Sequence, residues 1–203
     1  MTGLIEQEIG EVEVINLLDD SILKDMINGH RVDLVEKRWL NYAEIASSLG
    51  VDAILSACST VGEFAEKANG MLKTPVYRID EAMAEHAVTM GNRISVFATL
   101  PSTLGPTVDL IRRKAGQLHK DCSIHTILVE GAYEELMKGN KDKHDNKIQT
   151  AVLLYAAQSD VLVLAQASMA SAVEDMDQII KSKLLTSPKL GVGKLKRDLT
   201  ENA

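Results

Sequence analysis

The sequence predicts an α/β protein of two similar doubly wound lobes, each with a parallel sheet, and a cleft between the lobes. Short β-branched runs alternate with longer helical patterns, and several of these runs are apolar on both faces, as strands covered by helices should be. The predicted strands cover residues 11–17, 51–57, 75–78, 93–99, 123–129 and 160–166, with a possible further strand at 183–188. The predicted helices cover residues 33–49, 61–73, 79–91, 103–120, 145–158 and 169–182.

Composition sets the class of protein. A chain of 203 residues with 45% hydrophobic residues is large enough for a packed core. The net charge of −7 argues against nucleic acid as a partner, because binding to a phosphate backbone needs a cationic face. The apolar runs are shorter than the roughly 20 residues that cross a bilayer, so no membrane partner is expected. Two cysteines are too few for a disulfide scaffold, and we expect a soluble cytoplasmic protein.

The two halves contain a weak internal repeat. In the first half the strand DAILSA leads into Cys58 and Ser59, and in the second half DVLVLAQ leads into Ala167 and Ser168. A helical pattern follows each turn, and aligning Ser59 with Ser168 places Cys58 opposite Ala167. Open α/β sheets bind ligands at the carboxyl ends of their strands, so we expect both turns to face one cleft.

The halves differ at their beginnings. The second half has three clear strands and the possible strand 183–188, whereas the first half has three strands and opens on a helical pattern over residues 1–10. Because a doubly wound lobe normally starts with a central strand, we expect the first lobe to lack its opening strand and the native chain to begin upstream of Met1. The alternative is a first lobe with fewer strands. The polar run at 138–147 is expected to form an exposed turn that leads into a helix.

Cys58 is the leading candidate for chemistry. It lies where a strand passes into a helix, and a helix N-terminus favours a thiolate that could act as nucleophile, acid or base. The alternative is a buried structural thiol, since free cysteines are often buried. Ser59 and Thr60 follow, and their hydroxyl and amide groups suit a carboxylate, although the pair could simply cap the helix.

Two further polar turns are predicted at the same kind of strand end. Gln166, Ser168 and Met169 occupy the turn of the second half, and Gln166 can donate and accept hydrogen bonds without acting as a base near neutral pH. Thr99 closes the strand 93–99, with the alternative that this turn only begins a helix. The predicted substrate-binding residues are therefore Ser59, Thr60, Thr99, Gln166, Ser168 and Met169.

Other chemistries are disfavoured by the sequence. Cys122 lies at the opening end of a strand, opposite the expected ligand edge, and is interpreted as structural. The five histidines form no cluster with metal-ligand spacing, so no metal site is expected. The Gly-rich nucleotide-binding patterns are absent, and the GVG at 191–193 is too short to replace them.

Five segments together resemble the aspartate/glutamate/hydantoin racemase superfamily: VDAILSACSTVGEFAE, PVYRIDEAMAEHAV, ISVFATLPSTLGPTVDLI, DVLVLAQASMA and SPKLGV. The resemblance covers nearly the whole chain. It implies a first lobe of residues 1–88 plus 186–203 and a second lobe of residues 89–185, because the C-terminal segment of the family returns to the first lobe. It also implies an enzyme without a cofactor and a homo-oligomer.

Racemases of this family use two cysteines, one from each lobe, which transfer protons at opposite faces of the substrate α-carbon. The first family cysteine matches Cys58, but the second falls at Ala167, which has no titratable group. The resemblance therefore implies a racemase, isomerase or lyase that acts on a small carboxylic acid, of amino-acid or dicarboxylate type, through one cleft cysteine.

Two other hypotheses stay open at this point. The chain could be a non-catalytic protein that retains the racemase fold and only binds a small carboxylate, which the alanine at position 167 would explain. It could also be a flavodoxin-like or nucleotide-binding protein, which the missing phosphate loops disfavour.

Overall fold

Parallel strands form two sheets in this computed structural model, which describes residues 1–29 and 31–201. The first sheet has the order β1-β2 and the second has the order β4-β3-β5-β6, and every neighbouring pair is parallel. The α/β class with parallel sheets is thus confirmed. The strands are β1 (Ile54–Ser56), β2 (Val76–Arg78), β3 (Arg93–Ala98), β4 (Ser123–Leu128), β5 (Val161–Leu164) and β6 (Leu184–Thr186).

Helices connect and cover the strands. The α-helices are α1 (Thr2–Ile9), α2 (Asp20–Asn28), α3 (Val32–Ser48), α4 (Gly62–Met71), α5 (Glu81–Met90), α6 (Pro101–Gln117), α7 (Ala132–Met137), α8 (Lys141–Ala156), α9 (Gln178–Lys181) and α10 (Ser187–Glu201). Two 3-10 helices cover Ser59–Val61 and Ala167–Val173. Within the described residues no helix is long and apolar enough to cross a membrane.

The chain divides into two compact units. The first contains Met1–Glu81 and Pro188–Ala203, and the second contains Ala82–Ser187. The sequence places the lobe boundaries at 88/89 and 185/186, and this division into lobes stays a prediction.

The first unit packs helices against both faces of its sheet. On one face, α3, α4 and β2 share a cluster that includes Ala43, Ala65 and Val76. On the other face, Ile79 packs with residues of α1 and α10. Gly191 in α10 permits this contact, because a Cβ there would lie 2.3 Å from the Ile79 carbonyl oxygen. The GVG at 191–193 therefore serves helix packing within α10.

The second unit has its core along β3 and β5. Both strands are buried on both faces, which agrees with their continuous apolar sequences. Phe97 of β3 packs with Leu162 of β5 and with Ile148 and Val152 of α8 in one cluster. The Phe97 ring also meets the Tyr155 ring edge-on, with 5.9 Å between centroids.

The predicted strand at 11–17 is wrong, since the structure has neither strand nor helix there. The alternation that predicted it is nevertheless visible in burial: Val12 and Val14 are half-buried against the cluster around Ile79, while Glu11 and Glu13 are exposed. A strand is defined by a backbone ladder with a neighbour, and among the described residues none pairs with this segment.

The predicted helix at 169–182 is also wrong in part. The structure has the 3-10 helix Ala167–Val173 and the short α9 instead. The break has a local cause, because the Asp177 side chain accepts a hydrogen bond from the Ile179 N–H at 2.8 Å and caps a new helix. Helices α2 and α7 were not predicted. Asp19 caps α2 through the Ser21 N–H at 3.0 Å.

A buried ion pair ties the end of β2 to the helix α4. The Arg78 side chain is 2% exposed, and its Nε lies 2.7 Å from the Oδ1 of Asp80, whose side chain is fully buried. The guanidinium donates to Asp80 through two nitrogens and to Glu66 of α4 through a third. Gly62 begins α4 directly against this group, because a Cβ there would lie 2.3 Å from Arg78 Nη2.

We expect Arg78→Met to lower the free energy of unfolding by about 3–5 kcal/mol, because it leaves the Asp80 carboxylate buried without a cationic partner. Urea unfolding measures this change. Adding Asp80→Leu to Arg78→Met should recover part of the loss. Arg112→Met is the control, since Arg112 pairs with Asp109 in solvent, and it should leave the midpoint nearly unchanged. Equal losses from both single variants would contradict the prediction.

A second ion pair joins β3 to β5 at the opening end of the second sheet. Arg93 Nη2 lies 2.6 Å from Asp160 Oδ1, and the backbone N–H groups of Asn92 and Arg93 donate to the same carboxylate. These bonds, led by that of the Arg93 side chain, lower the pKa of Asp160 to about 2.

This depressed pKa predicts acid sensitivity. The unfolded carboxyl has a pKa near 3.8, so the stabilisation is fully present above that value and is lost as pH falls through the folded value of about 2. We expect Asp160→Asn to lose less stability than the unsubstituted chain between pH 4 and pH 2. Thermal unfolding at several pH values measures the difference, and parallel curves over that window would show that Asp160 does not contribute.

Candidate functional site

Cys58 lies at the turn that follows β1. Its backbone is extended, with φ −124° and ψ 114°, and it directly precedes the 3-10 helix Ser59–Val61 and then α4. Its carbonyl accepts a hydrogen bond from the Val61 N–H at 3.3 Å. The residue therefore occupies the transition from strand to helix, at the carboxyl end of the first sheet.

The Cys58 thiol is free and half-buried. One side of the residue packs against the apolar cluster of Ile22, Val35, Val61 and Phe64. The residue as a whole keeps part of its surface exposed, so this cluster does not bury it completely.

Ser59 and Thr60 follow Cys58 but lie deeper. Both residues are buried, within the first turn that leads to α4. Their burial suits a structural role in this turn at least as well as contact with a ligand, so their predicted substrate contact stays a prediction.

The second unit brings Thr99 and Gln166 together. Thr99 follows β3 and Gln166 follows β5, and these strands are neighbours in the sheet. The Gln166 Oε1 accepts hydrogen bonds from the Thr99 N–H at 2.5 Å and from its hydroxyl at 2.9 Å. An amide oxygen only accepts hydrogen bonds, so the amide nitrogen is the end of Gln166 that can donate to a ligand.

The rest of this turn separates into exposed and buried residues. Ala167 and Ser168 are exposed, so the methyl of Ala167 stands at the surface of the turn. The Met169 side chain is fully buried in the core cluster around Phe97 and Ile148, and its N–H donates to the Gln166 carbonyl at 3.0 Å. Ser168 is exposed and Met169 is buried, so of these two predicted substrate-binding residues Ser168 is the more accessible to a ligand.

Comparison with known protein families shows the family of this chain. The model of the Asp/Glu/Hydantoin racemase family matches residues 2–195. The chain belongs to this family. None of the curated proteins compared with this racemase-family chain matches it.

Solved racemases share the fold at low sequence identity. Glutamate racemase isoform RacE1 from Bacillus anthracis is similar with a TM-score of 0.77 and 14% identity, over 100% of this chain and 77% of its own. Allantoin racemase from Klebsiella pneumoniae is similar with a TM-score of 0.63 and 19% identity, over 99% of this chain and 82% of its own. Glutamate racemase from Francisella tularensis, solved with D-glutamate, is similar with a TM-score of 0.64 and 17% identity, over 82% of this chain and 64% of its own. The racemase-family chain thus matches less than two thirds of the Francisella enzyme.

Three buried polar atoms of the second unit were missed by the sequence analysis as candidate functional groups. The hydroxyls of Ser102 and Ser187 and the Nε2 of His144 have no hydrogen-bond partner among the described residues. Ser102 follows β3 and Ser187 follows β6, so both lie at the carboxyl edge of the sheet. Most buried polar groups in folded proteins have a hydrogen-bond partner, so these three atoms are exceptions among the described residues.

His144 was expected on an exposed polar run, but its side chain is 1% exposed. The run does begin a helix, since α8 starts at Lys141. His144 continues the buried face of Ile148 and Val152, and its Nδ1 lies 2.7 Å from Asp145 Oδ1. An ionised carboxylate only accepts hydrogen bonds, so Nδ1 is the donor in this contact. A helical reading of the spacing from 144 to 148 and 152 is the signal that could have found it.

Cys122 lies just before β4, at the end of the second sheet opposite Thr99 and Gln166. Its thiol lies 4.0 Å from the Gly91 carbonyl, and burial raises the pKa of the thiol. These features agree with a structural cysteine.

We expect the Cys122 thiol to react slowly with iodoacetate at neutral pH, because only the thiolate reacts and the raised pKa keeps it protonated. Cys58→Ala leaves Cys122 as the sole cysteine, and the rate should keep rising above pH 9. Mass spectrometry of the alkylated chain measures it, with the Cys122→Ala chain as comparison. A rate that levels off below pH 8 would contradict the raised pKa.

Proposed function

We propose that this racemase-family chain is a cofactor-independent racemase- or isomerase-type enzyme, or a lyase of similar chemistry, for a small carboxylic acid. The substrate would be of amino-acid or dicarboxylate type. The observation that carries the proposal is the free, half-buried Cys58 at the strand-to-helix turn of a chain that belongs to a racemase family.

The proposed chemistry is proton transfer by the Cys58 sulfur. As a thiolate, it would take the proton from the α-carbon and become a thiol, and the electron pair of the broken C–H bond would pass into the carboxyl group. Return of a proton to the planar carbon, from the same thiol or from water, would complete an exchange. Decarboxylation would use the same thiol as the proton donor after loss of CO₂.

Ala167 supports a mechanism with one thiol. It occupies the exposed turn after β5, where the internal repeat would place a counterpart of Cys58, and its methyl group cannot transfer a proton. Cys122 is at the opposite end of its sheet, so it does not replace the missing thiol at that turn. Racemisation by two cysteines is therefore not part of the proposal.

The turn of the second unit supplies groups suited to holding a carboxylate. The Gln166 amide nitrogen and the exposed Ser168 hydroxyl are hydrogen-bond donors, and the Thr99 bonds fix the orientation of Gln166. Neutral donors of this kind bind an anion without adding a second acid or base.

We further propose that the protein is cytoplasmic and a homo-oligomer.

The experiment measures exchange at the α-carbon. The chain is incubated in D₂O with D- and L-aspartate, D- and L-glutamate and a substituted malonate, and proton NMR follows loss of the α-proton or of CO₂. We expect exchange or decarboxylation of at least one of these acids, and we expect Cys58→Ala to reduce the rate at least about 100-fold.

Cys122→Ala is the matched control, and it should retain the rate because Cys122 lies at the other end of its sheet. Full turnover by Cys58→Ala would refute the proposed mechanism. A rise in melting temperature with one of these acids, without exchange or decarboxylation of any, would instead support the non-catalytic binding protein.

A further inference from the structure

The strand β4 forms one edge of the second sheet, and it lacks the features that usually protect an edge strand. Its six residues read SIHTIL, without proline and without an acidic, lysine or arginine side chain. Natural edge strands are typically short, charged, interrupted by proline or covered by another element. The opposite edge, β6, follows that rule because it has only three residues. The outer edge of β4 is therefore suited to pairing with another chain.

The pairing with β3 determines which backbone groups of β4 point outward. The N–H of Ser123, the first residue of β4, donates to the Asn92 carbonyl before β3. In a parallel ladder alternate residues face the same neighbour, so the odd-numbered residues of β4 face β3. The N–H and C=O groups of Ile124, Thr126 and Leu128 consequently point away from β3.

This outward side of β4 is uncovered. Among the described residues no strand pairs with it. Thr126 is exposed, Leu128 is 36% exposed and Ile124 is half-buried. The Leu128 carbonyl accepts one bond from the Glu130 N–H at 3.1 Å, which leaves its second lone pair for another donor. The edge thus combines outward backbone groups with two aliphatic side chains on one face of the sheet.

We infer that this edge is a twofold interface, in which β4 pairs antiparallel with β4 of a second copy of the chain. The inference rests on the homo-oligomer proposed above and names the surface that forms it. In a twofold interface both copies use the same surface, so one residue at the axis sets the register. Thr126 is that residue, because a register centred on it pairs all the outward residues of β4 with one another.

Hydrogen bonding favours this register. Thr126 would lie opposite the partner's Thr126, and Ile124 would lie opposite the partner's Leu128. In an antiparallel ladder, two opposite residues whose backbone groups point at each other exchange two hydrogen bonds. A shift by one residue would instead set each outward residue against one that faces β3. A shift by two would leave one outward residue of each β4 without a partner.

The side chains agree with the same register. Ile124 and the partner's Leu128 would be direct cross-strand neighbours, and symmetry repeats this contact on the other side of Thr126. The pairing would cover aliphatic groups that a single chain leaves partly exposed. Opposite side chains on one face of an antiparallel pair are within contact distance, and aliphatic or threonine pairs there are stabilising.

Charge is complementary just beyond the strand ends. Asp121 is exposed and stands two residues before β4. Continued past the strand, the register brings Asp121 to the partner's Gly131. Lys147 lies beside this glycine, because its Nζ donates to the Glu130 carbonyl at 3.3 Å and would lie 3.3 Å from a Cβ at Gly131. Each Asp121 would therefore meet the partner's Lys147, and these two opposite-charge contacts favour a second copy over an unrelated strand.

Thr126→Pro tests the backbone pairing. It removes an outward N–H but no hydrogen bond to β3, and proline is compatible with an open strand edge. We expect sedimentation velocity to show a dimer of the unsubstituted chain and a dimer of Thr126→Pro that is at least about tenfold weaker, because each copy loses a bond of the central pair. Thr126→Val is the matched control: it keeps the N–H and the β-branched side chain, and should dimerise like the unsubstituted chain.

Charge reversal tests the register without altering the backbone. Asp121→Lys and Lys147→Asp each create two like-charge contacts, so we expect each to weaken the dimer about tenfold. Mixing the two variants should restore a dimer, because the mixed dimer has opposite charges at both contacts. Asp175→Lys is the control, since Asp175 is exposed and follows β5, which does not border β4, and it should leave the dimer unchanged.

Amide hydrogen exchange locates the interface. We expect the N–H groups of Ile124, Thr126 and Leu128 to exchange more slowly as protein concentration rises. A chain that is monomeric at every concentration would overturn this inference together with the proposed homo-oligomer. A dimer that withstands Thr126→Pro and both charge reversals, with these three N–H groups unprotected, would overturn this interface alone. Neither result bears on proton exchange at the substrate α-carbon, which is measured separately.

Discussion

The candidate site depends on the parallel direction of the strands. In each sheet all strands end at the same edge, so the turns that follow them are neighbours although they are distant in sequence. This places Cys58 after β1 beside the charged turn after β2 in the first unit. It also brings Thr99 and Gln166 into direct contact in the second unit, 67 residues apart in sequence. Helices begin after these turns, so their free N–H groups lie at the same edges.

The buried Arg78 holds parts of the first unit together at this edge, and its charge is not available for a reaction. Its guanidinium is shared between Asp80 and Glu66, so the positive charge is already neutralised within the protein. Gly62 lies directly against it and is the first residue of α4, the helix that follows the Cys58 turn. The ion pair therefore fixes the start of α4 relative to the end of β2, and so fixes the turn that carries the thiol. Burying an ion pair removes the hydration of both charges, and this cost offsets much of their attraction. Its clearer contribution is to hold the end of β2 and the start of α4 in place.

Sequence patterns predicted those features that depend on local periodicity. Apolar runs located β1 to β6, and the strand ends located Cys58, Thr99 and Gln166. The strand predicted at residues 11–17 is wrong because a strand needs a backbone partner, and the periodicity of a sequence does not show whether there is one. The burial of His144 was not predicted because it is a single inward-facing position of a helix within a run of charged residues. The Ser102 and Ser187 hydroxyls could not be singled out, since a serine at the start of a helix has the same sequence signal whether or not its hydroxyl finds a partner.

The two units carry different kinds of chemistry. The turn after β1 has a titratable thiol, whereas the turn after β5 has an amide, a methyl group and a hydroxyl, none of which changes charge near neutral pH. His144 of α8 is a titratable side chain of the second unit, but it is buried, and its Nδ1 contacts the carboxylate of Asp145. Of the side chains at these two turns, only the Cys58 thiol can transfer a proton near neutral pH, whereas the amide and hydroxyl groups of the turn after β5 can serve only as hydrogen-bond partners.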